Sequence, residues 1–263
     1  MIIQAIRSLI FYVLFIGLTA ILAIPFGIYS LFAPKFSGFI VVKIWYKTNI
    51  FFLRWFVGVK TQIEGQESLP DGPFIIASKH QSDWDIFALL DATNKRPSFI
   101  AKKELMDIPF FGWCARNFRT ISVDRKNGKS ALPQMVEQGK DAIADDCRIV
   151  IYPEGTRRAP LDEPRYKWGL AKMYEQLDVP IVPVALTSGL FWPRNSLILW
   201  PGTARARYLD PIPPGLELEE VHQRVQDAIE TETTKMILED IDNGLSRPIS
   251  QEFQARIEQA RQI

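Results

Sequence analysis

The feature that most constrains this chain is an uninterrupted apolar stretch near its amino terminus. Residues 8–34 contain no charged side chain. A continuous helix of this length would extend roughly 40 Å, more than the roughly 30 Å hydrocarbon core of a bilayer. We therefore predict a membrane contact, with either a tilted helix or a break at Pro25, which cannot donate a helical hydrogen bond. A cleaved signal peptide is the competing interpretation, but the stretch is too long and lacks an A-x-A end.

A second hydrophobic stretch follows directly. Residues 37–60 are rich in aromatic side chains, but Lys43, Lys47 and Arg54 interrupt them. On a helix these three cations lie within roughly 40° of one another, which leaves the other faces apolar. Such a helix fits the membrane interface, with its cations toward lipid phosphates, better than the surface of a soluble protein. We predict that residues 1–60 form a two-helix membrane element, embedded or spanning.

The rest of the chain has the pattern of an α/β domain. After Lys60, short β-branched runs alternate with segments of helical periodicity. We predict over residues 61–263 a mixed central sheet flanked by helices, preceded by the N-terminal two-helix membrane element. The predicted strands are 74–78, 98–101, 120–123, 148–152, 181–186 and 204–208. The predicted helices are 83–92, 131–144, 170–177 and 217–238, and the polar residues 244–263 are expected to fray as a terminal helix.

Composition and missing motifs exclude several classes of function. The net charge of +1 gives no reason to expect a nucleic-acid partner. The two cysteines, Cys114 and Cys147, make neither a zinc site nor a disulfide framework. The sequence contains no G-x-G-x-x-G, P-loop, H-E-x-x-H or G-x-S-x-G motif, so the common cofactor-binding and hydrolase classes lose support.

A general base near neutral pH has few candidates, because the chain contains only two histidines. His222 falls in the charged, amphipathic C-terminal helix, where we expect a solvated residue without a catalytic role. His80 follows a predicted strand directly, and the carboxyl ends of strands are where α/β sheets bind ligands. His80 is therefore the better candidate.

Asp85 stands five residues after His80. On one continuous helix the two side chains would be about 140° apart, so the histidine must precede the helix if they are to touch. With Ser82 or Asp83 as the cap, Asp85 lies in the first helical turn and can reach back to fix the imidazole tautomer. Ser82 and Asp85 also match the S-x-x-D capping pattern, in which the carboxylate only caps the helix. The spacing alone leaves both interpretations open.

Four sequence blocks favour the catalytic interpretation of His80 and Asp85, because their order resembles that of a known family. The first is the H-x-x-x-x-D element that begins at His80, and the others are residues 119–125, 152–157 and 179–184, which read RTISVDR, YPEGTR and VPIVPV. Together with a lysine segment at 102–112, they resemble the signatures of the glycerolipid acyltransferases and span roughly residues 75–185. The chain departs from the family pattern in Tyr152, where Phe is usual, and in Lys79, where Asn is usual. Pro180 and Pro183 of the fourth block predict an edge strand or a bulge.

The resemblance implies an O-acyltransferase. We expect residues 61–263 to form the catalytic domain, in which His80 removes the proton from an acceptor hydroxyl while Asp85 holds the ring. A thioester donor is already activated, so no serine or cysteine nucleophile is needed, and we expect neither a metal nor a cofactor. Acyl-CoA or the acylated form of acyl-carrier protein would be the co-substrate, and 1-acylglycerol-3-phosphate the acceptor.

The phosphate of such an acceptor calls for fixed cations. By resemblance, Arg157 and Lys102 are the best candidates, followed by Arg125, with Lys167 weaker. Glu154 is expected to orient Arg157 or to contact the glycerol hydroxyls, and Gly155 to supply a turn conformation. The full set of residues predicted to bind phosphate and glycerol is Lys102, Arg125, Glu154, Gly155, Thr156 and Arg157.

Other functions compete with this one. A related enzyme could use a different lysolipid, such as a lyso-ornithine lipid or lysophosphatidylcholine. Residues 83–85 read DWD and resemble the D-x-D of membrane glycosyltransferases, which bind a nucleotide sugar through a metal, although a three-residue pattern is weak. A membrane-anchored binding protein without catalysis is the third class. We expect the bilayer, a lysophospholipid and an acyl thioester as partners, and the bacterial inner membrane as location, with the catalytic domain on the cytoplasmic side.

Overall fold

The fold is built on a mixed seven-stranded sheet, seen in a computed structural model that describes residues 1–91, 96–124 and 128–262. The strands are β1 Val59–Glu64, β2 Ile75–Ser78, β3 Arg96–Lys102, β4 Ile121–Val123, β5 Cys147–Ile151, β6 Ile181–Leu186 and β7 Gly202–Tyr208. Their order in the sheet is β1-β7-β6-β2-β5-β3-β4. All six predicted strands form, so the predicted mixed sheet is confirmed, and β1 is an additional strand that the sequence analysis missed.

The direction of the strands decides where a site can form. Strands β6, β2, β5, β3 and β4 run parallel to one another, whereas β7 is antiparallel to β6 and carries β1 in parallel beside it. The carboxyl ends of five strands therefore meet at one edge of the sheet. From β2 the chain continues on one side to β3, and from β5 it continues on the other side to β6. Such a reversal of direction is where open α/β sheets form a crevice for ligands.

Helices cover both faces of the sheet. They are α1 Ile2–Ser30, α2 Phe39–Phe52, α3 Trp84–Asp91, α4 Lys103–Met106, α5 Phe111–Asn117, α6 Gly128–Ala144, α7 Gly169–Leu177, α8 Leu218–Asp242 and α9 Gln251–Ala260. The buried apolar side chains form two clusters, one on each face of the sheet. In β2, Ile76 belongs to the cluster that contains Phe87 of α3, and Ile75 belongs to the cluster that contains Met173 of α7. Helix α8 contributes Ile237 to the first cluster and Ile229 to the second, so it packs against both.

Helix α1 continues through Pro25 as far as Ser30. The predicted break at Pro25 is therefore wrong, because proline removes only one backbone donor and the surrounding turns keep their hydrogen bonds. Among the helices of the described residues, α1 alone is long and apolar enough to cross a membrane, with a mean hydropathy of 2.5 over its best window. Helix α2 has 14 residues and would extend only about 21 Å. Two helices are present as predicted, but only one has the length of a membrane span.

The front helices share a core with the sheet domain. Phe11 of α1 is fully buried and packs edge-on against Trp192, with ring centroids 5.3 Å apart. Trp45 of α2 packs against Phe87 of α3, and its indole donates to Thr19 of α1 at 2.9 Å. The predicted boundary between residues 60 and 61 falls inside β1. Helices α1 and α2 are thus packed onto the sheet domain and are not joined to it by a linker.

Two local predictions are only partly right. Pro183 lies in β6, which is an interior strand, so the edge-strand alternative is wrong. The bulge alternative has support on the β7 side of β6, where the register changes by one residue between the Val184–Tyr208 pair and the Ile181–Ile212 bridge. The residues of β6 that face β2 are the even-numbered ones, as the bonds from Ile75 N to Pro180 O and from Lys79 N to Val184 O indicate. The missing amide of Pro183 consequently points away from that pairing. The predicted C-terminal helix forms as α9, which Ser250 caps, but it is not only polar, because Phe253 is buried in the core.

Candidate active site

The loop between β2 and α3 carries the predicted base. Strand β2 ends at Ser78 and α3 begins at Trp84, so His80 precedes the helix as the spacing required. Ser82 is the helix cap, since its hydroxyl accepts a hydrogen bond from the Trp84 amide at 3.1 Å. The Asp85 carboxylate reaches back and accepts from the amide of Ser82 at 3.0 Å and from that of Gln81 at 2.7 Å. This is the reciprocal bonding of a capping box.

The same carboxylate meets the imidazole. Asp85 Oδ2 lies 2.9 Å from His80 Nδ1. The other oxygen of Asp85 accepts from the hydroxyls of Ser82 and Ser188, and the side chain is fully buried. The two interpretations that the spacing left open therefore both hold. A carboxylate fixed by so many donors can hold the ring with a proton on Nδ1, which leaves Nε2 free to accept one.

One face of the imidazole packs against an aromatic ring. The Tyr152 ring stacks on His80 with centroids 3.8 Å apart and planes 18° from parallel. Burial raises the pKa of Tyr152 well above its ordinary value, and nearby carboxylates such as Asp85 add to this effect. Tyr152 is therefore a neutral phenol at physiological pH. The His80 side chain keeps 17% of its surface exposed, so the ring can be reached from one direction.

The turn after β5 braces the His80 loop. Glu154 is buried, and its two oxygens bind Lys79 Nζ at 2.9 Å and the His80 amide at 3.2 Å. Burial raises the pKa of Glu154, although the charge of Lys79 opposes that effect. Among the described contacts, Glu154 has none with Arg157, so the predicted orienting role is not seen. Gly155 has a φ of +66°, a conformation that side chains disfavour, as predicted.

Arg157 reaches the same loop from the other side. Its Nη1 atom lies 2.9 Å from Asp83 Oδ2, and both side chains are partly exposed. The amide of Arg158 donates to the His80 carbonyl at 2.7 Å, so the turn and the loop are also joined through the main chain. Thr156 is exposed beside this cation. The structure thus places an arginine that solvent can still reach against the loop that carries His80.

The remaining predicted cations differ in position. Lys102 is exposed at the end of β3. Strand β5 lies between β3 and β2, so the ends of β3 and β2 are about 10 Å apart along the sheet edge. Its neighbour Lys103 pairs with Asp124 at 3.1 Å. The ammonium of Lys167 would lie 3.0 Å from a Cβ placed on Gly155, so this lysine stands over the turn. Arg125 lies outside the described residues.

Sequence reasoning missed two parts of the site. Ser188, which donates to Asp85, lies just after β6. The rule that parallel strands end at one edge could have found it, since residues 181–186 were predicted as a strand. Lys79 was noted only as a departure from the family pattern, and its buried partners could not be foreseen.

The D-x-D pattern and His222, the other candidates from the sequence, do not form a second site in the described residues. Asp83 and Asp85 of the D-x-D pattern face different partners, Arg157 and His80, and do not converge. Over the described ranges, no group of three or more His, Cys, Asp or Glu side chains is arranged to hold a metal ion. His222 lies on α8 as expected, but it is only partly exposed, because it stacks on Trp168 with centroids 4.2 Å apart.

Comparison with known proteins gives a consistent result. A family model described as Acyltransferase matches residues 60–187. The 1-acyl-sn-glycerol-3-phosphate acyltransferase of Pseudomonas aeruginosa is 32% identical over 206 residues, which cover 76% of this chain and 78% of that protein. The human enzyme named 1-acyl-sn-glycerol-3-phosphate acyltransferase alpha is 28% identical over 163 residues, covering 61% of this chain and 58% of the human protein.

The fold also has a counterpart among solved structures. The crystal structure of the 1-acyl-sn-glycerophosphate (LPA) acyltransferase PlsC from Thermotoga maritima matches with a TM-score of 0.71. The match covers 89% of this chain and 97% of that one, at 22% sequence identity. At this identity the likeness establishes the fold. Helix α8 lies outside the residues that the family model matches.

Proposed function

Since this chain belongs to the family of 1-acyl-sn-glycerol-3-phosphate acyltransferases, we infer that it transfers a fatty acyl group from a thioester to the sn-2 hydroxyl of 1-acyl-sn-glycerol-3-phosphate, forming phosphatidic acid. The observation that carries the mechanism is the 2.9 Å contact between His80 Nδ1 and Asp85 Oδ2 at the carboxyl edge of the sheet. His80 is the base and Asp85 is its orienting partner.

The reaction needs one proton acceptor and no protein nucleophile. Neutral His80, with its Nδ1 proton donated to Asp85, accepts the proton of the acceptor hydroxyl at Nε2 as that oxygen attacks the thioester carbonyl. The buried carboxylate of Asp85 stabilises the imidazolium that forms. Collapse of the tetrahedral intermediate breaks the carbon–sulfur bond, and the proton on His80 passes to the departing thiolate. General-base assistance of this kind contributes about 10²- to 10⁴-fold in rate.

The acceptor phosphate is bound by the cations around this edge. Arg157 is the principal candidate, because its planar guanidinium can bind a phosphate through two parallel hydrogen bonds and its present partner Asp83 is partly exposed. Lys102 and Lys167 are proposed to assist, as is Arg125, which lies outside the described residues. Gly155 shapes the turn beside Arg157, where its amide donates to the Tyr152 carbonyl at 2.9 Å, and Thr156 is exposed next to it. Glu154 acts by holding the His80 loop in place.

The acceptor lies in a bilayer, and the surface of α1 is suited to one. Val13 and Ile16 are each more than 60% exposed on this helix. Ile108 and Phe111, within the lysine segment, are also exposed. Phe110, just before α5, approaches Gly27 of α1 closely. The proposed location is the bacterial inner membrane, with the site on the cytoplasmic side, where acyl-CoA and acyl-carrier protein are found. Neither a metal nor a further cofactor is required by this chemistry.

The test uses the full chain purified in detergent micelles. It is given lysophosphatidic acid, lysophosphatidylcholine or a lyso-ornithine lipid, each with acyl-CoA or acylated acyl-carrier protein, and products are identified by mass spectrometry. We expect phosphatidic acid as the main product, and a loss of about 10³-fold or more in His80→Ala. His222→Ala is the matched control, because it removes the other histidine, and should retain turnover.

Two results would contradict the proposal. Near-normal turnover in His80→Ala would remove the assigned base. Preferential acylation of lysophosphatidylcholine or the lyso-ornithine lipid by the wild-type protein would remove the assigned acceptor while leaving the class of reaction in place.

A further inference from the structure

A buried lysine lies directly beneath the proposed base. Lys79 precedes His80 in the chain, and its side chain is 1% exposed. Its ammonium contacts two carboxylates, Glu154 Oε1 at 2.9 Å and Glu230 Oε1 at 2.6 Å. Glu230 belongs to α8 and is separated from Lys79 by 151 positions in the sequence. The mechanism described above uses neither Lys79 nor Glu230.

Burying charges is unfavourable unless partners satisfy them, so this group calls for an explanation. The ammonium has three donors and binds two carboxylates here. Glu230 also accepts a hydrogen bond from the Tyr166 hydroxyl at 2.9 Å, in the loop that leads to α7. Groups from the β2 end, the β5 turn, the α7 loop and α8 therefore meet at one point. An apolar side chain at position 79 could fill the space but could not join them.

Glu154 connects this group of ionic contacts to the main chain of His80. Glu154 holds Lys79 with one oxygen and the His80 amide with the other, so ammonium, carboxylate and the main chain of residues 79 and 80 form a closed ring. Glu230 fixes the ammonium from outside that ring. A shift of Lys79 would move Glu154, and a shift of Glu154 would release the backbone that carries the imidazole.

We propose that Lys79 and Glu230 are positioning residues for His80, through which α8 holds the base in the orientation that proton transfer requires. This inference rests on the proposed function, and it extends the site beyond residues 60–187 to a helix that the family model does not match. Misplacing a reacting group by about 1 Å can reduce a rate by about 10²-fold without changing substrate affinity. The signature is therefore a loss in kcat with little change in KM.

The first experiment is kinetic and uses the full chain. Glu230→Gln is nearly isosteric and changes a partly exposed side chain, so the variant should fold. It should weaken the ionic contact with the Lys79 ammonium. We expect kcat to fall about tenfold, with KM for both substrates within about twofold of wild type. Glu219→Gln, exposed on the same helix, is the matched control and should behave as wild type.

A double-variant comparison tests whether the two residues act together. Lys79→Met should lower kcat at least as much as Glu230→Gln, because it leaves both carboxylates without their cation. If they act through one contact, Lys79→Met combined with Glu230→Gln should lose no more than Lys79→Met alone. Multiplied losses in the combined variant would overturn the coupling. Should Lys79→Met not fold, Glu230→Gln still decides the matter.

The second experiment does not depend on turnover. The chain has two histidines, so ¹⁵N-histidine labelling yields two sets of ring signals, and His222→Ala assigns them. We expect Glu230→Gln to shift or broaden the His80 signals and leave those of His222 in place, whereas Glu219→Gln should change neither.

The outcomes separate this inference from the proposed function. If the wild type is active and Glu230→Gln keeps both its kcat and its His80 signals, the positioning role is wrong and the function stands. If the wild type transfers no acyl group to any lysolipid, the proposed function fails, and the His80 signals of Glu230→Gln still report whether α8 holds the ring.

Discussion

Asp85 combines two tasks that are usually assigned to different residues. It closes the capping box of α3 by accepting from the amides of Gln81 and Ser82, and it binds the imidazole of His80. A carboxylate can do both because it only accepts hydrogen bonds. Its position in the first helical turn means that helix formation itself places the charge beside the ring.

Replacing that charge should separate the two tasks. In Asp85→Asn the amide can donate to Nδ1, which favours the tautomer with its proton on Nε2, and that tautomer cannot accept the hydroxyl proton. We expect kcat to fall about 10³- to 10⁴-fold. Ser82→Ala is the control for the cap, with a loss of about 1 kcal/mol in unfolding free energy and a much smaller effect on kcat. Turnover of Asp85→Asn within tenfold of wild type would show that the tautomer does not limit the reaction.

Helix α1 has two faces with different roles. On the inner face Gln4 donates to the Leu199 carbonyl at 2.7 Å, and Phe11 lies in the core. The outer face is exposed and apolar. Deleting residues 1–60 would therefore remove part of the core as well as the proposed anchor, and its result would not distinguish the two. Substitutions on the outer face can do so.

Charges on the outer face should weaken membrane attachment. Val13 and Ile16 are one helical turn apart and exposed, so Val13→Lys with Ile16→Lys leaves the core intact. Each lysine costs about 2.5 to 3.5 kcal/mol at the centre of a membrane helix. We expect a clear shift of the protein from membranes to the soluble fraction, measured by cell fractionation and vesicle flotation. Leu197→Lys, at another exposed apolar residue, should not shift; an unchanged distribution of the double variant would exclude α1 as the anchor.

At the scale of the whole molecule, α8 is tied to the sheet by ion pairs along its length. Arg207 of β7 binds Glu64 of β1 and Glu232 of α8, and Arg205 binds Glu239 further along the helix. With Glu230 at Lys79, the same helix contacts both β7, next to the edge strand β1, and the proposed active site. The strand that follows the front helices is thereby linked to the helix that supports the base.

The pair between Glu64 and Arg207 should make stability depend on pH. Burial alone would raise the pKa of Glu64, but the hydrogen bond and charge of Arg207 outweigh it and hold the pKa below its ordinary value. A lowered carboxyl pKa stabilises the fold at neutral pH, and this contribution is lost as the pH falls through the pKa of the folded state.

We expect Glu64→Gln to lower the free energy of unfolding by about 1 kcal/mol at neutral pH. The difference from wild type should shrink as the pH falls from about 5 toward 3, because the wild-type carboxyl then becomes protonated. Denaturant unfolding in detergent micelles at a series of pH values measures it. Glu67→Gln, exposed nearby, is the control. A difference that stays constant with pH would mean that the ion pair does not contribute.

The sequence by itself determined the features that depend on neighbours along the chain. The long apolar helix, the alternation of strands and helices, and the placing of Asp85 in the first turn after His80 all follow from local periodicity and capping. These properties act over a few residues, so a single sequence displays them. The resemblance to a family then favoured a catalytic role for His80 and Asp85 beside the capping role, which spacing alone could not do.

Only the tertiary structure decided which distant segments meet. The interior position of β6, the contact of Ser188 with Asp85, and the bond between Lys79 and Glu230 across 151 positions join parts of the chain that carry no mutual signal. Such contacts form because the sheet order and the packing of α8 bring them together. A buried lysine looks like any surface lysine in the sequence until the fold supplies its carboxylates, which is why the support beneath His80 could not be predicted.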